Sequence, residues 1–465
     1  MKVTYIGGGA YRVLPILRGA MSDPRLFDGG EICLYDLAPE RTATMAAMLE
    51  RTPEFAKNNV KITHGLSLEA SLTGADAVGV IFPAGSWKSA ALGTEICLKH
   101  GYISSDNVSP NGAMHGLKAG PTLLSIARSM EKYCPNAWLL DFVNPVAVFS
   151  GMVNNHTKIK ALGVCAGYTN HQWDISRLLG ADRQLTNVKV EAAGINHLAF
   201  ITKGDLDGED IFKLIDKSLA AGWKMPPMHH RWHEGAVKNI TQSVTTLAKV
   251  YQDLGVLIFS TEGDGMQHLF YDEAVRASQA AFVKPSIQEI DESAASHRAR
   301  RIADDRAFAA HLNENLDQAF WDKADADGTM FERVHDDIFI KIMRGIAGLE
   351  PAEIVSSRTN QGAIKGIDDR NVVEYSQTLF KQEIKPRGNL YIPGVVQGMI
   401  TGLAAHQTLL GDAIATEDPK LLAHALQSYP WMPYSKASKS MFRELLISNA
   451  PEITPAALAA TEYLV

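Results

Sequence analysis

Three consecutive glycines after a short apolar segment constrain the fold of this chain more than any other feature. Residues 2–6 (Lys-Val-Thr-Tyr-Ile) predict a strand, and a helix is predicted to follow the glycines as far as about Met21. Glycines in such a turn let the backbone bend tightly and approach a pyrophosphate, whose charge then lies at the positive end of the helix. The sequence therefore predicts a dinucleotide site. Its cofactor-contacting residues are predicted to be Gly7, Gly8, Gly9, Ala10 and Tyr11.

The third position of the usual glycine pattern holds Arg12 instead, so an ordinary glycine-rich turn remains the alternative. Asp36 ends the second predicted strand, at 31–35. A carboxylate at that position accepts hydrogen bonds from the ribose hydroxyls and repels a 2'-phosphate. These features favour NAD over NADP, with the nearby Arg41 as the contrary signal.

Alternating strand and helix patterns predict the fold class. Apolar runs at 59–63, 76–82, 137–143 and 160–165 alternate with helical patterns, the longest at 121–132. Such alternation is typical of right-handed βαβ units in a parallel sheet. We expect an α/β chain with a Rossmann-type doubly wound parallel sheet, the NAD-binding domain, over 1–195. A mixed α+β, helix-rich substrate-binding and catalytic domain is predicted over 196–465.

Composition narrows the classes of partner and compartment. The net charge of -7 shows no long charged blocks, which argues against a nucleic-acid or anionic membrane surface. No run of 18 apolar residues and no secretory leader pattern occurs, and four scattered cysteines without CxxC spacing indicate neither disulfides nor a zinc ribbon. We expect a cytoplasmic protein whose partner is a small molecule, with no nucleic acid and no membrane.

Several further motifs, taken together, resemble those of the family four glycoside hydrolases, the NAD-dependent group with certain α-galactosidases and 6-phospho-glucosidases. The motifs are the segments 99–103, 134–138 followed by Asn144-Pro145, 163–165, 194–197, 360–364 and 372–374. Their order covers nearly the whole chain. The NAD-dependent sulfoquinovosidases resemble the same group and are a second candidate.

The resemblance implies a redox-neutral glycosidase. Hydride leaves sugar C3 for NAD, the C2 proton becomes acidic, the C1 aglycone is eliminated, water adds and hydride returns, outside the usual two-carboxylate scheme. It also implies a homo-oligomer, a dimer or a tetramer, and an anionic glycoside such as a sulfoquinovoside is the expected substrate. The alternatives are an NAD-dependent sugar or hydroxy-acid dehydrogenase and a non-enzymatic NAD-binding regulator.

The resemblance assigns a divalent metal, usually manganese, to Cys165 and His197, whose ordinary alternative is a buried cysteine and a core histidine. Ala166 departs from the family pattern, so either metal use or the acid must differ here. Asn144 matches an asparagine between nicotinamide and sugar, and the alternative is a turn initiator before Pro145.

The catalytic base that takes the C2 proton is predicted within 263–271. Asp264 and Tyr271 both match the family's region of the base, and the Gly-Asp start favours Asp264. A glycine-flanked aspartate is also an ordinary loop residue.

Substrate contacts are predicted in three places. The resemblance implies a glycine-rich loop over 104–118 that directs Asn111, His115 and Lys118 toward the sugar, with Lys118 where the family has an arginine, and solvated loop polarity is the alternative. Asn196 and His197 belong to the site by their motif. His230 and Arg231, within the cluster 228–234, could clamp a sulfonate or phosphate, although a solvated turn is the alternative.

Overall fold

The computed structural model describes residues 1–10, 12–165, 167–228, 234–260, 265–266, 319, 322–323, 338–431 and 436–465. Its strands, in chain order, are β1 (Lys2–Ile6), β2 (Gly30–Tyr35), β3 (Val60–His64), β4 (Ala77–Val80), β5 (Trp138–Asp141), β6 (Lys160–Gly163), β7 (Val188–Ile195), β8 (Leu198–Leu206), β9 (Glu209–Asp210), β10 (Leu257–Ile258), β11 (Ala352–Thr359), β12 (Val372–Phe380) and β13 (Glu383–Pro386).

The helices of the first half are α1 (Val13–Met21), α2 (Pro24–Phe27), α3 (Pro39–Leu49), α4 (Pro53–Ala56), α5 (Leu68–Leu72), α6 (Trp87–Lys99), α7 (Pro110–Tyr133), α8 (Val146–His156) and α9 (Gly167–Leu178). Those that follow in the described ranges are α10 (Ile211–Ala220), α11 (Glu234–Leu254), α12 (Ile338–Ala347), α13 (Gly394–Thr416), α14 (Pro419–Gln427), α15 (Lys436–Ser448), α16 (Pro455–Ala459) and a 3₁₀ helix (Ala460–Tyr463).

The strands of the described residues form a 13-stranded sheet with a parallel half and an antiparallel half. The parallel half runs β3-β2-β1-β4-β5-β6. This is the strand order of doubly wound dinucleotide-binding folds, in which ligands bind where the order reverses, between β1 and β4. The predicted fold class is confirmed.

The antiparallel half continues the same sheet through β11, β12, β7, β8 and β10. The predicted division of the chain after residue 195 falls at the short turn that joins the paired strands β7 and β8. Helix α12, from the second half, packs the Phe339 ring 5.8 Å from the Tyr5 ring of β1. The two predicted domains therefore share one sheet and one core, and the division itself stays a prediction.

Helix α7 is longer than the predicted helix at 121–132, and this corrects the predicted loop over 104–118. Ser109 caps the helix, because its Oγ accepts hydrogen bonds from the backbone N–H groups of Asn111 (3.1 Å) and Gly112 (3.3 Å). Pro110 fills the first helical position, where proline costs nothing, whereas Pro121 lies inside the helix. Pro121 therefore does not start the helix, and residues 110–118 are helical.

Among the described residues, no helix is long and apolar enough to cross a membrane.

Candidate active site

A cavity of about 800 Å³ lies where the carboxyl ends of β4 and β5 meet the first turns of α6 and α7. Its lining includes Arg12, Phe82, Trp87, Ser104, Asp106, Asn111, His115 and Asn144. Open α/β sheets bind ligands at this edge, beside the switch in strand order. The cavity also lies within the size range of small-molecule sites.

The glycine turn beside this cavity requires glycine at its first position. Gly7 has φ +82°, and a Cβ added there would overlap the carbonyl oxygen of Ile81. The N–H groups of Gly7 and Gly8 both donate to the carbonyl oxygen of Tyr35, each at 2.9 Å. These hydrogen bonds join the turn after β1 to the end of β2. No residue other than glycine fits the backbone at position 7.

Asp36 lies at the end of β2 and closes the turn from the other side. Its Oδ2 accepts from the Gly9 N–H at 3.1 Å and its Oδ1 accepts from the Ala38 N–H at 3.0 Å. Within the part of the chain that the structure describes, no side chain caps the N-terminus of α1, where Arg12 occupies the cap position. A glycine turn, an uncapped helix start and a carboxylate at the second strand fit the pyrophosphate and the ribose of a dinucleotide.

Asn144 is tied to the loop before α7. The Asn144 Nδ2 donates to Asp106 Oδ2 at 2.9 Å, and a cis peptide bond joins Asn144 to Pro145. The next residue of that loop, Asn107, donates from its Nδ2 to Asn196 Oδ1. Asn196 in turn donates to Glu374 Oε2 at 2.8 Å, so both ends of its buried amide are used inside the protein.

Cys165 and His197 are brought together, although 32 residues separate them in the chain. The Cys165 Sγ lies 3.4 Å from the His197 Nε2. His197 has φ +66° in the turn between β7 and β8, a conformation that a histidine seldom adopts and that is often found at functional sites. Gly265 packs directly against the backbone of His197.

A thiolate and an imidazole can supply two ligands to one divalent ion. Among the described residues there is no group of three or more His, Cys, Asp or Glu side chains around one metal position. Catalytic metal sites keep at least one coordination position for water or substrate oxygens. The pair fits a metal of this kind, and its sulfur and nitrogen donors suit softer ions as well as manganese.

Asn111, His115 and Lys118 lie on one face of α7, because they are spaced four and three residues apart. Asn111 donates from Nδ2 to the carbonyl oxygen of Ala90 (3.2 Å) and to Ser104 Oγ (3.1 Å). Asn111 and His115 line the cavity. The amide donors of Asn111 therefore fix the cavity wall.

Lys118 does not belong to the lining of the cavity that the structure describes. Its Nζ donates to Ser89 Oγ at 2.9 Å, and Ser89 Oγ donates to Glu452 Oε2 at 2.7 Å. Burial lowers the pKa of Lys118 to about 8, against the opposing effect of Glu452. The lysine is thus anchored at Ser89, outside the described lining of the cavity.

Burial lowers the pKa of His115 to about 3, with the positive charge of Lys118 acting in the same direction and Glu452 against it. The cavity therefore presents a neutral imidazole at neutral pH. The unfolded chain takes up this proton near the ordinary pKa of 6.5, so the folded state loses stability as pH falls from 6.5 toward 3.

We expect His115→Gln to reduce this acid sensitivity. Between pH 7 and about pH 4.5 the variant's free energy of unfolding should fall less than the wild type's by about 2–3 kcal/mol. Urea unfolding at the two pH values measures the difference. His64→Gln, at an exposed position, is the matched control and should follow the wild type. An equal loss of stability in His115→Gln and wild type would contradict the shifted pKa.

Five predicted residues lie outside the described residues, and their roles stay predictions: Tyr11, His230, Arg231, Asp264 and Tyr271. Sequence reasoning missed the hydrogen bonds of Asp106 and Asn107, and it missed Arg12 as a wall of the cavity. Two adjacent side chains of the Asx type just before a Ser-Pro helix start are a signal that could have pointed to them, since such residues hold loop backbones in place.

The comparisons with known proteins agree with this architecture. The model of the family 4 glycosyl hydrolases matches residues 2–181, and the model of their C-terminal domain matches residues 192–432. A probable 6-phospho-β-glucosidase of Bacillus subtilis is 22% identical over 453 residues, covering 96% of each chain. An α-galacturonidase of Thermoanaerobacter italicus is 24% identical over 476 residues, covering 97% of each chain.

A solved structure of similar fold is the 6-phospho-β-glucosidase of Thermotoga maritima with manganese, NAD+ and glucose 6-phosphate. It is 18% identical and superposes with a TM-score of 0.70, covering 98% of this chain and all (100%) of that one. Together the two family models account for most of the sequence. The chain belongs to the family 4 glycosyl hydrolases.

Proposed function

We propose that the protein is an NAD-dependent glycosidase that cleaves its substrate without net oxidation. The observation that supports the proposal is that loop 104–109 connects the cavity beside the glycine turn to the neighbourhood of Cys165 and His197, the proposed metal ligands. Asp106 and Asn144 line the cavity beside Arg12, and Asn107 bonds to Asn196, the neighbour of His197. Cofactor, sugar and metal would thus meet on one loop, 104–109.

Each part of this site has a defined task. The glycine turn and Asp36 hold the dinucleotide, and NAD when bound supplies the acceptor and donor of a hydride. The Asn144 amide both donates and accepts, so it can orient a sugar hydroxyl while Asp106 fixes its position. Cys165 and His197 would hold a divalent ion, manganese by family analogy, that stabilises negative charge developing on sugar oxygens. Asp264 or Tyr271 is proposed as the base at C2.

We further propose an anionic glycoside as the substrate, with a sulfoquinovoside as the specific candidate. The names of two relatives, a 6-phospho-β-glucosidase and an α-galacturonidase, both refer to sugars that carry an anionic group. Arg12 lines the cavity and supplies a positive charge there, whereas Lys118 is bonded to Ser89 outside the lining and interacts with Glu452. Exchange of the family's arginine for Lys118 favours a different anion, since a lysine is a point charge and an arginine a planar fork.

One assay in deuterated water tests the proposal. The protein and NAD are incubated with aryl glycosides of neutral, phosphorylated, uronic and sulfonated sugars. We expect release of the aglycone, deuterium at sugar C2 and no net NADH, with an anionic sugar the best substrate. NADH formed in proportion to substrate consumed would instead indicate a dehydrogenase, and NAD binding without turnover of any glycoside would indicate a regulator. Equal rates on the neutral sugar would overturn the anionic-substrate proposal alone.

The cytoplasmic location and the dimeric or tetrameric state stay predictions.

A further inference from the structure

A second cavity, of about 440 Å³, opens at the opposite edge of the sheet, at the amino ends of β5 and β6. Its wall includes Trp138, Lys158, Lys160, Arg358, Gln361 and Lys385. The candidate active site lies at the carboxyl ends of β4 and β5, so the two cavities lie at opposite ends of β5, the strand that they share. Nothing in the proposed reaction uses this second cavity.

Arg358 is the unusual group in this cavity. Its side chain is carried by the central strand β11 and only 8% of the residue is exposed. Its Nη2 donates to Gln361 Oε1 at 2.9 Å, whereas its Nε is buried with no hydrogen-bond partner in the described ranges. Burial lowers the pKa of Arg358, and only Tyr375 acts against it. A buried guanidinium is normally matched by a carboxylate, because taking a charge out of water is costly.

The other charged groups of the cavity wall do not supply Arg358 with the carboxylate that it lacks. Lys160 Nζ donates to the carbonyl oxygen (2.8 Å) and the Oε1 (3.1 Å) of Gln382, which are neutral acceptors, and it lies 5.4 Å from the Trp138 ring centre. Lys385 is paired with Glu383 at 2.9 Å, and both side chains are exposed. Among the charged lining residues, Lys158, Lys160, Arg358 and Lys385 face one carboxylate, that of Glu383.

We propose that this cavity is a second ligand site, which binds the phosphate group of a small molecule through Arg358 and Lys160. A guanidinium presents its donors as a planar fork that matches the oxygens of phosphate, and Arg358 lines the cavity while its described hydrogen bond engages only Nη2. Lys160 adds a point charge to the wall of the same cavity. The volume exceeds that of a bare ion and lies within the range of sites for small molecules, so a phosphate ester would fit as well as free phosphate.

The test is a calorimetric titration of the full-length protein, saturated with NAD so that the nucleotide turn is filled. The probes are inorganic phosphate, glycerol 3-phosphate and glycerol, at an ionic strength held constant with sodium chloride. We expect saturable binding of the two phosphates and none of glycerol. Tighter binding of the ester would identify a phosphorylated metabolite as the ligand, and equal binding would identify free phosphate.

Arg358→Gln should weaken phosphate binding by about 10- to 100-fold, the effect of losing one or two charge-assisted hydrogen bonds. Arg183→Gln, which removes the same charge at an exposed position outside the cavity, should bind as the wild type does. If Arg358→Gln does not fold, Lys160→Gln carries the test and should weaken binding several-fold. No saturable phosphate binding by the wild type, or unchanged affinity in the variant that folds, would overturn the proposal.

Discussion

Replacing Gly7 with alanine is expected to abolish NAD binding under conditions where the wild type is saturated. Two effects act together. The positive φ of +82° costs an alanine about 1–2 kcal/mol, and its Cβ would overlap the carbonyl oxygen of Ile81 at the end of β4. The overlapping atoms of Ile81 belong to its backbone and not to a flexible side chain, so the backbone of the turn must move.

The movement would disturb the two hydrogen bonds from Gly7 and Gly8 to Tyr35 and shift the turn away from the cofactor. Loss of two charge-assisted hydrogen bonds to a pyrophosphate reduces affinity by at least about 100-fold. Titration of NAD followed by calorimetry measures the affinity, and circular dichroism reports whether the variant is folded.

The matched control is Gly65→Ala. Gly65 also has a positive φ, +68°, but a Cβ added there meets no atom within 4 Å. This variant carries the conformational strain without the overlap, so it should lose about 1 kcal/mol of stability and keep its NAD affinity. Wild-type NAD affinity in Gly7→Ala would remove the glycine turn from the cofactor site.

The parallel half of the fold could be predicted from the sequence because its strands are buried on both faces. Val78 and Leu139, for example, lie in short continuous apolar runs between helical patterns, which is the signature of such strands. The length of α7 could not be predicted in the same way. Ser109-Pro110 is a helix-start signal, but Gly120-Pro121 within the same segment predicts a break, and tertiary packing overrides that break.

The contacts of the candidate site could also be predicted only in part. The glycine turn and Asp36 follow β1 and β2, which pair in the order expected for βαβ units. The local sequence pattern was therefore enough to predict that they lie together. Asp106 bonds to Asn144 across 38 residues, and no spacing rule specifies such a contact. The direction of Lys118 depends on Glu452, near the other end of the chain, and therefore follows only from the folded structure.

The second large effect is expected from removing Cys165 and His197, the proposed metal ligands. Cys165→Ala and His197→Gly should each lower kcat/KM by about 10²–10⁴-fold, because a bound ion contributes several kcal/mol to the stabilisation of charge in the transition state. Glycine is chosen at 197 because it adopts the observed φ of +66° without strain. NAD affinity should be retained in both variants, since neither residue lies in the glycine turn.

The double variant distinguishes a shared ion from two separate roles. If Cys165 and His197 hold one ion, removing the second residue costs little after the first, and the double variant should be about as slow as either single variant. A chelator should abolish wild-type activity and leave the residual activity of the variants unchanged. Cys97→Ala is the control and should keep its chelator sensitivity, because Cys97 is buried and no described hydrogen bond joins its Sγ to a histidine side chain. Effects that multiply in the double variant, or full wild-type activity in chelator, would show that the two residues act without a common metal.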